Sequence, residues 1–127
     1  MNIIISNSSG KPIYLQIVNQ LKEIIIKGKL EESQPLPSIR NLAKELKISV
    51  ITTKRAYDEL EREGFIVTVV GKGSYVASIN KEVYRETKIK MVEEKFTEAI
   101  TNAKQVGLSL EELTEILNLL YKGDEIE

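Results

Sequence analysis

Three short groups of residues carry the chemistry in this sequence. Ser38 and Arg40 put a hydroxyl and a guanidinium at the start of a helical stretch, where free backbone N–H groups favour an anion. Ser49, Val50, Ile51 and Thr52, followed by Lys54 and Arg55, set hydroxyls, aliphatic side chains and two cations close together. Gly71, Lys72 and Gly73 place a cation between two residues without side chains, so backbone and charge can both approach a groove closely. Such groups hold phosphate and read base edges. Lysine can donate to guanine O6 and N7, and an aliphatic side chain such as Ile51 can meet a thymine methyl. Each group also has a plainer reading: Ser38 as a simple cap, residues 50–55 as a solvated face, Lys72 as an ordinary turn lysine. Two neighbouring aliphatic residues at 50 and 51 are odd for plain solvent.

What is missing narrows the field. The chain has no cysteine and no histidine, which excludes disulfides, thiolate nucleophiles, Cys/His zinc sites and Ser-His-Asp triads. The carboxylate pair Glu61 and Glu63 lies on an exposed helix, with no glycine-rich phosphate loop to support it. The expectation is therefore no enzyme, no cofactor and no metal. A composition of 42% hydrophobic and 29% charged residues is that of an ordinary globular protein. No apolar run approaches the roughly 20 residues that span a membrane, and Met1 to Ile5 lacks the basic and apolar regions of a secretory signal. No membrane partner is expected, and the location expected is the cytoplasm.

The net charge of −1 conceals an asymmetry. Residues 1–80 carry 11 Lys/Arg against 8 Asp/Glu, net +3, whereas residues 81–127 carry 7 against 11, net −4. The basic part holds all three candidate groups.

The elements that must position these groups follow from periodicity. Ile3-Ile4-Ile5 reads as an ordered arm or a short strand. Pro12 suits the first turn of a helix, and Ile13, Ile17, Leu21, Ile24 and Ile25 continue it to about residue 27, where Gly28 can close it in a left-handed cap. Residues 29–37 form a connector with two prolines. Ser38 caps a second helix with Ile39, Leu42, Ala43 and Leu46 inward, ending near Lys47. Ser49 caps a third, running to about Glu63 before Gly64. On that third helix Thr53, Ala56 and Leu60, flanked by Tyr57, face the core; Val50, Ile51, Lys54, Arg55 and Asp58 face away. Phe65 to Val70, a turn at 71–73 and Ser74 to Ala77 read as a β-hairpin. Three helices followed by a hairpin is the order of a winged helix, with the helix-turn-helix in its second and third helices.

The tail differs. Residues 80–104 are helical, with Val92, Phe96, Ala99, Ile100 and Ala103 on one face. Gly107 breaks the pattern, and Ser109 and Glu112 form a capping box. A last helix with Leu110, Leu113, Ile116, Leu117 and Leu120 inward runs to about Tyr121. Two such helices cannot bury a core alone. They must pack on the first domain or on a second copy, and the long, leucine-rich stripe favours the second copy; the dimerisation residues expected are Val92, Phe96, Ile100, Leu113, Ile116, Leu117 and Leu120. The fold expected is thus α+β and mainly helical: a winged helix-turn-helix over residues 1–78 and a two-helix dimerisation tail over 79–127.

The run Pro35-Leu36-Pro37-Ser38-Ile39-Arg40-Asn41-Leu42-Ala43 resembles the signature of GntR-type regulators. Thr52 to Gly64 is similar to that family's recognition helix and its exit, and Gly71-Lys72-Gly73-Ser74-Tyr75-Val76 to its wing. These blocks span about residues 11–77. The short tail resembles the YtrA-type branch, which has no large effector domain. The resemblance implies a homodimer on a palindromic double-stranded DNA operator, usually acting as a repressor, often of transporter genes; it leaves room for a small-molecule effector of unknown identity. It implies DNA contacts by Arg40, Thr52, Lys54 and Arg55, and minor-groove contacts by Gly71 and Gly73. Val50 stands where the family often has a polar or basic residue or proline, and Ile51 where it usually has a polar one. Apart from the resemblance, two other readings stay open: a winged helix used for protein contacts, and an architectural or partition DNA binder.

Overall fold

The computed structural model describes residues 1–126, with side chains through residue 123. The chain divides into two compact units, 1–81 and 82–127. The elements in order are α1 (Ile13–Ile26), α2 (Ile39–Leu46), α3 (Val50–Arg62), β1 (Ile66–Val69), β2 (Gly73–Val76), α4 (Lys81–Gln105) and α5 (Leu110–Ile126). The expected architecture, mainly helical α+β with three helices, a wing and two further helices, is the one the chain adopts. Among the described residues no helix is long and apolar enough to cross a membrane.

The first unit is built on α3. Its Thr53, Ala56, Tyr57 and Leu60 are buried, facing Ile17, Val18, Leu21 and Ile25 of α1 and Leu42 and Ala43 of α2. Phe65, Ile66 and Val76 extend this core into the hairpin. Thr53 is polar yet fully buried, and its hydroxyl is satisfied by donating to the Ser49 carbonyl at 3.0 Å. Leu46, read as a core residue, is only half-buried, at the last position of α2.

One helix end differs from expectation. Pro12 stands just before α1, as its cap, rather than inside the first turn. The tight turn between α2 and α3 is made by Lys47 in a left-handed conformation (φ 57°, ψ 46°), and the next residue, Ile48, donates to the Ala43 carbonyl. A non-glycine residue held there costs about 1 kcal/mol or more, a cost the packed helices on both sides sustain. Gly28, with φ 77°, ends α1 as anticipated.

The amino-terminal arm forms no strand. Two glutamines one turn apart on α1 hold it instead. Gln20 accepts from the Ile4 N–H (2.8 Å) and donates to the Ile4 carbonyl (2.7 Å). Gln16 does the same for Ser6, at 2.8 Å each way.

The wing is an antiparallel pair with Ile66 opposite Val76 and Val69 opposite Gly73. Val70, read as the end of a strand, sits in the turn at 97% exposure. The connector before α2 runs along the outer side of β2. Ser33 and Leu36 donate to the Val76 and Ser74 carbonyls, and Val76 donates to Gln34, all at 2.9 Å. Pro35 lies opposite Tyr75 in this ladder, an outer position that needs no N–H.

In the second unit, Gly107 (φ 74°) ends α4. Ser109 and Glu112 then exchange the two hydrogen bonds of a capping box, each 3.1 Å, at the start of α5. The last helix continues five residues past Tyr121, through Gly123.

Candidate nucleic-acid interface

The surface that could meet a nucleic acid comes from the starts of α2 and α3 and the tip of the wing. Ser38 caps α2 by accepting from the Asn41 N–H at 3.1 Å, and Arg40 is exposed in the first turn. The plain capping role of Ser38 is therefore real. A phosphate would find the remaining free N–H groups of that turn and the Arg40 guanidinium beside it.

Tyr57 fixes this turn to α3. Its buried hydroxyl donates to the Pro37 carbonyl at 2.7 Å, and burial pushes the phenol above its ordinary pKa. It is thus a neutral donor that locks the residue just before the α2 cap. The sequence placed Tyr57 beside the core but showed no sign of this bond, because its partner lies 20 residues away in a proline-rich connector.

In the first turn of α3, Ser49 accepts from the Thr52 N–H at 3.0 Å, and its hydroxyl donates to the Thr52 hydroxyl at 2.8 Å. Val50 and Ile51 between them are exposed, Ile51 at 82%. One turn on, the Lys54 ammonium pairs with Asp58 at 2.8 Å on open surface. Such an exposed pair is worth at most about 1 kcal/mol, so Lys54 can exchange its carboxylate for another acceptor. The Arg55 guanidinium lies over the Tyr14 ring of α1, 3.8 Å from its centroid. That contact holds an otherwise flexible side chain in place. Tyr14 is a functional candidate that residue spacing alone does not reveal.

Lys72 occupies the wing tip between Gly71 (φ 79°) and Gly73 (φ 120°). A side chain at either glycine would be strained. The wing is tied to α3 as well as to the connector: the Thr68 hydroxyl reaches Glu61 at 3.4 Å and lies 3.0 Å from the Ser74 hydroxyl. One hydrogen-bonded framework thus carries the α2 start, α3 and the wing.

The expected dimerisation residues belong to the second unit. Val92, Phe96, Ile100, Ile116, Leu117 and Leu120 are exposed, and Leu113 is half-buried. Among the described residues of that unit only Ala103 is a buried hydrophobic.

Comparison with known proteins agrees with this geometry. Residues 13–76 match the family of bacterial regulatory proteins described as the gntR family. The chain is 40% identical to the HTH-type transcriptional repressor YtrA of Bacillus subtilis over 107 residues, covering 84% of this chain and 82% of that protein. A transcriptional antiterminator from Listeria monocytogenes EGD-e has the same fold, with a TM-score of 0.71 and 32% identity over 95% of this chain and 90% of its own. The DNA-binding domain of AraR, solved in complex with operator ORE1, aligns at a TM-score of 0.52 and 25% identity, covering 61% of this chain and 94% of that domain.

Proposed function

The chain belongs to the gntR family of bacterial regulatory proteins, in its YtrA-type branch, and on that premise we propose that it is a homodimeric repressor of a palindromic operator. As a member of the family it is a DNA-binding transcription regulator with a winged helix; the dimer, the palindrome and the residue roles are the proposal. The observation that carries it is the two-sided character of α3. One face is fully used in the core, while Val50, Ile51, Lys54 and Arg55 remain on open surface at its start. A recognition helix presents its amino-terminal residues to base edges in the major groove.

In this reading Lys54 reads a base edge, and Arg55, steadied by Tyr14, reaches base or phosphate. Ser38, Arg40, Ser49 and Thr52 bind the backbone. Gly71, Lys72 and Gly73 approach the minor groove. The exposed apolar residues of α4 and α5 join two copies, and a symmetric pair places two reading units on an inverted repeat. No catalytic step is assigned. The expectation that the regulated genes encode transporters rests on the family resemblance, and any effector is unidentified. The cytoplasm is the compartment in which this reading places the protein.

Selection of bound duplexes from random DNA tests the proposal. The expected result is an enriched inverted repeat with half-sites related by about one helical turn. Equal binding to all duplexes would overturn it and mark a sequence-independent architectural binder instead.

A further inference from the structure

We infer that Ile51, with Val50 beside it, reads thymine methyl groups in the major groove, so that each half-site carries thymine where it faces the first turn of α3. This deepens the operator-binding reading and rests on it.

The argument starts from what the leading turn of α3 offers. Its two hydroxyls, on Ser49 and Thr52, are turned on each other and on the Thr52 N–H. The cations lie further along and have intramolecular neighbours, Asp58 for Lys54 and Tyr14 for Arg55. Beside the Thr52 O–H, which keeps its hydrogen for a backbone phosphate, what the turn presents most openly is carbon: Ile51 at 82% exposure and Val50 at 47%. Neither is recruited into the core, which α3 satisfies with Thr53, Ala56, Tyr57 and Leu60. Two branched aliphatic side chains in water on the reading edge of a helix gain by being covered.

The major groove has one apolar group for them. Guanine, adenine and cytosine present acceptors and donors there, whereas thymine adds the C5 methyl to its O4. Isoleucine against that methyl buries carbon on both sides. Against a guanine or cytosine edge it would strip water from a polar atom and return no hydrogen bond. The pair therefore selects thymine by attraction and rejects the alternatives by desolvation. Arg40, Lys54, Arg55 and Lys72 supply the charge that holds such a surface against DNA.

Uracil probes this directly, because it pairs as thymine does but lacks the methyl. The intact protein is titrated onto its selected operator and onto duplexes with uracil at one thymine at a time. The expected result is that one or two thymines per half-site weaken binding about fourfold when replaced, the ratio that burial of one apolar carbon corresponds to. Ile51→Ala should abolish the thymine-to-uracil ratio at one of these positions. Arg40→Ala should weaken both duplexes equally and keep the ratio. Ile51 is 82% exposed, so the variant should melt as the wild type does; Val50→Ala repeats the test at the neighbouring position. A ratio of one at every thymine in the wild type, or a ratio unchanged in both Ile51→Ala and Val50→Ala, overturns the inference while leaving operator binding intact. A selection that enriches no sequence overturns operator binding, and this inference with it.

Discussion

The two units of this chain treat their apolar side chains in opposite ways. In residues 1–81, the branched and aromatic residues of α1, α2, α3 and the hairpin meet one another, and Ile17, Leu21, Leu60 and Thr53 lose essentially all contact with water. In α4 and α5, Phe96, Ile100, Leu110, Ile116, Leu117 and Leu120 stay exposed. The first pattern is a core that one chain completes. The second leaves its apolar face open, and in the proposed reading that face is half of a contact between two copies. The lesson is that amphipathic periodicity, present in both regions, shows which face must be buried but not by what.

Substitutions that attack the two regions should separate them. The largest effect on the fold is expected from Leu60→Ala, which removes a fully buried side chain from the core face of α3. It should cost about 2–5 kcal/mol, read as a lower urea midpoint. Leu117→Glu should leave the reading unit folded. If the proposed dimer forms through this face, the substitution places an unpaired carboxylate in it, at several kcal/mol, and analytical ultracentrifugation should find a monomer. Specific operator binding should collapse while weak non-specific binding persists.

Smaller effects sharpen the account of the reading surface. Lys54→Ala should cost about 1–3 kcal/mol of operator affinity and relax one base position, whereas unchanged affinity and specificity would remove Lys54 from the base-reading set. Tyr57→Phe deletes the donor to Pro37 and should lower stability by about 1 kcal/mol, measured in the same urea titration. The smallest change is expected from Lys72→Ala at the wing tip, a fall of about one unit in the salt dependence of binding. Wild-type behaviour on all duplexes would mean that the wing is not used.

The helices were legible because their ends and faces are written in local chemistry. Ser38, Ser49 and Ser109 are caps whose bonds form as read, and the spacing of Thr53, Ala56 and Leu60 marks the face of α3 that is buried. What escaped has a physical reason in each case. Ser33 to Leu36 has no strand pattern and contains a proline, yet its free backbone groups pair with β2. Lys47 adopts a left-handed turn that glycine or asparagine would have announced. The last helix, expected to end near Tyr121, runs on through Gly123. Val70 has the character of a strand residue and sits in the turn. At the interface, Tyr14 under Arg55 and Tyr57 on Pro37 are tertiary contacts between distant segments, and no local pattern encodes them.

The central claim is that one chain reads half an operator and that the tail joins two. Sedimentation of the intact protein, alone and on its selected duplex, tests this most directly. The account expects a dimer in solution at micromolar concentration and two chains on each inverted repeat. A monomer that binds its duplex one to one with full affinity would contradict it.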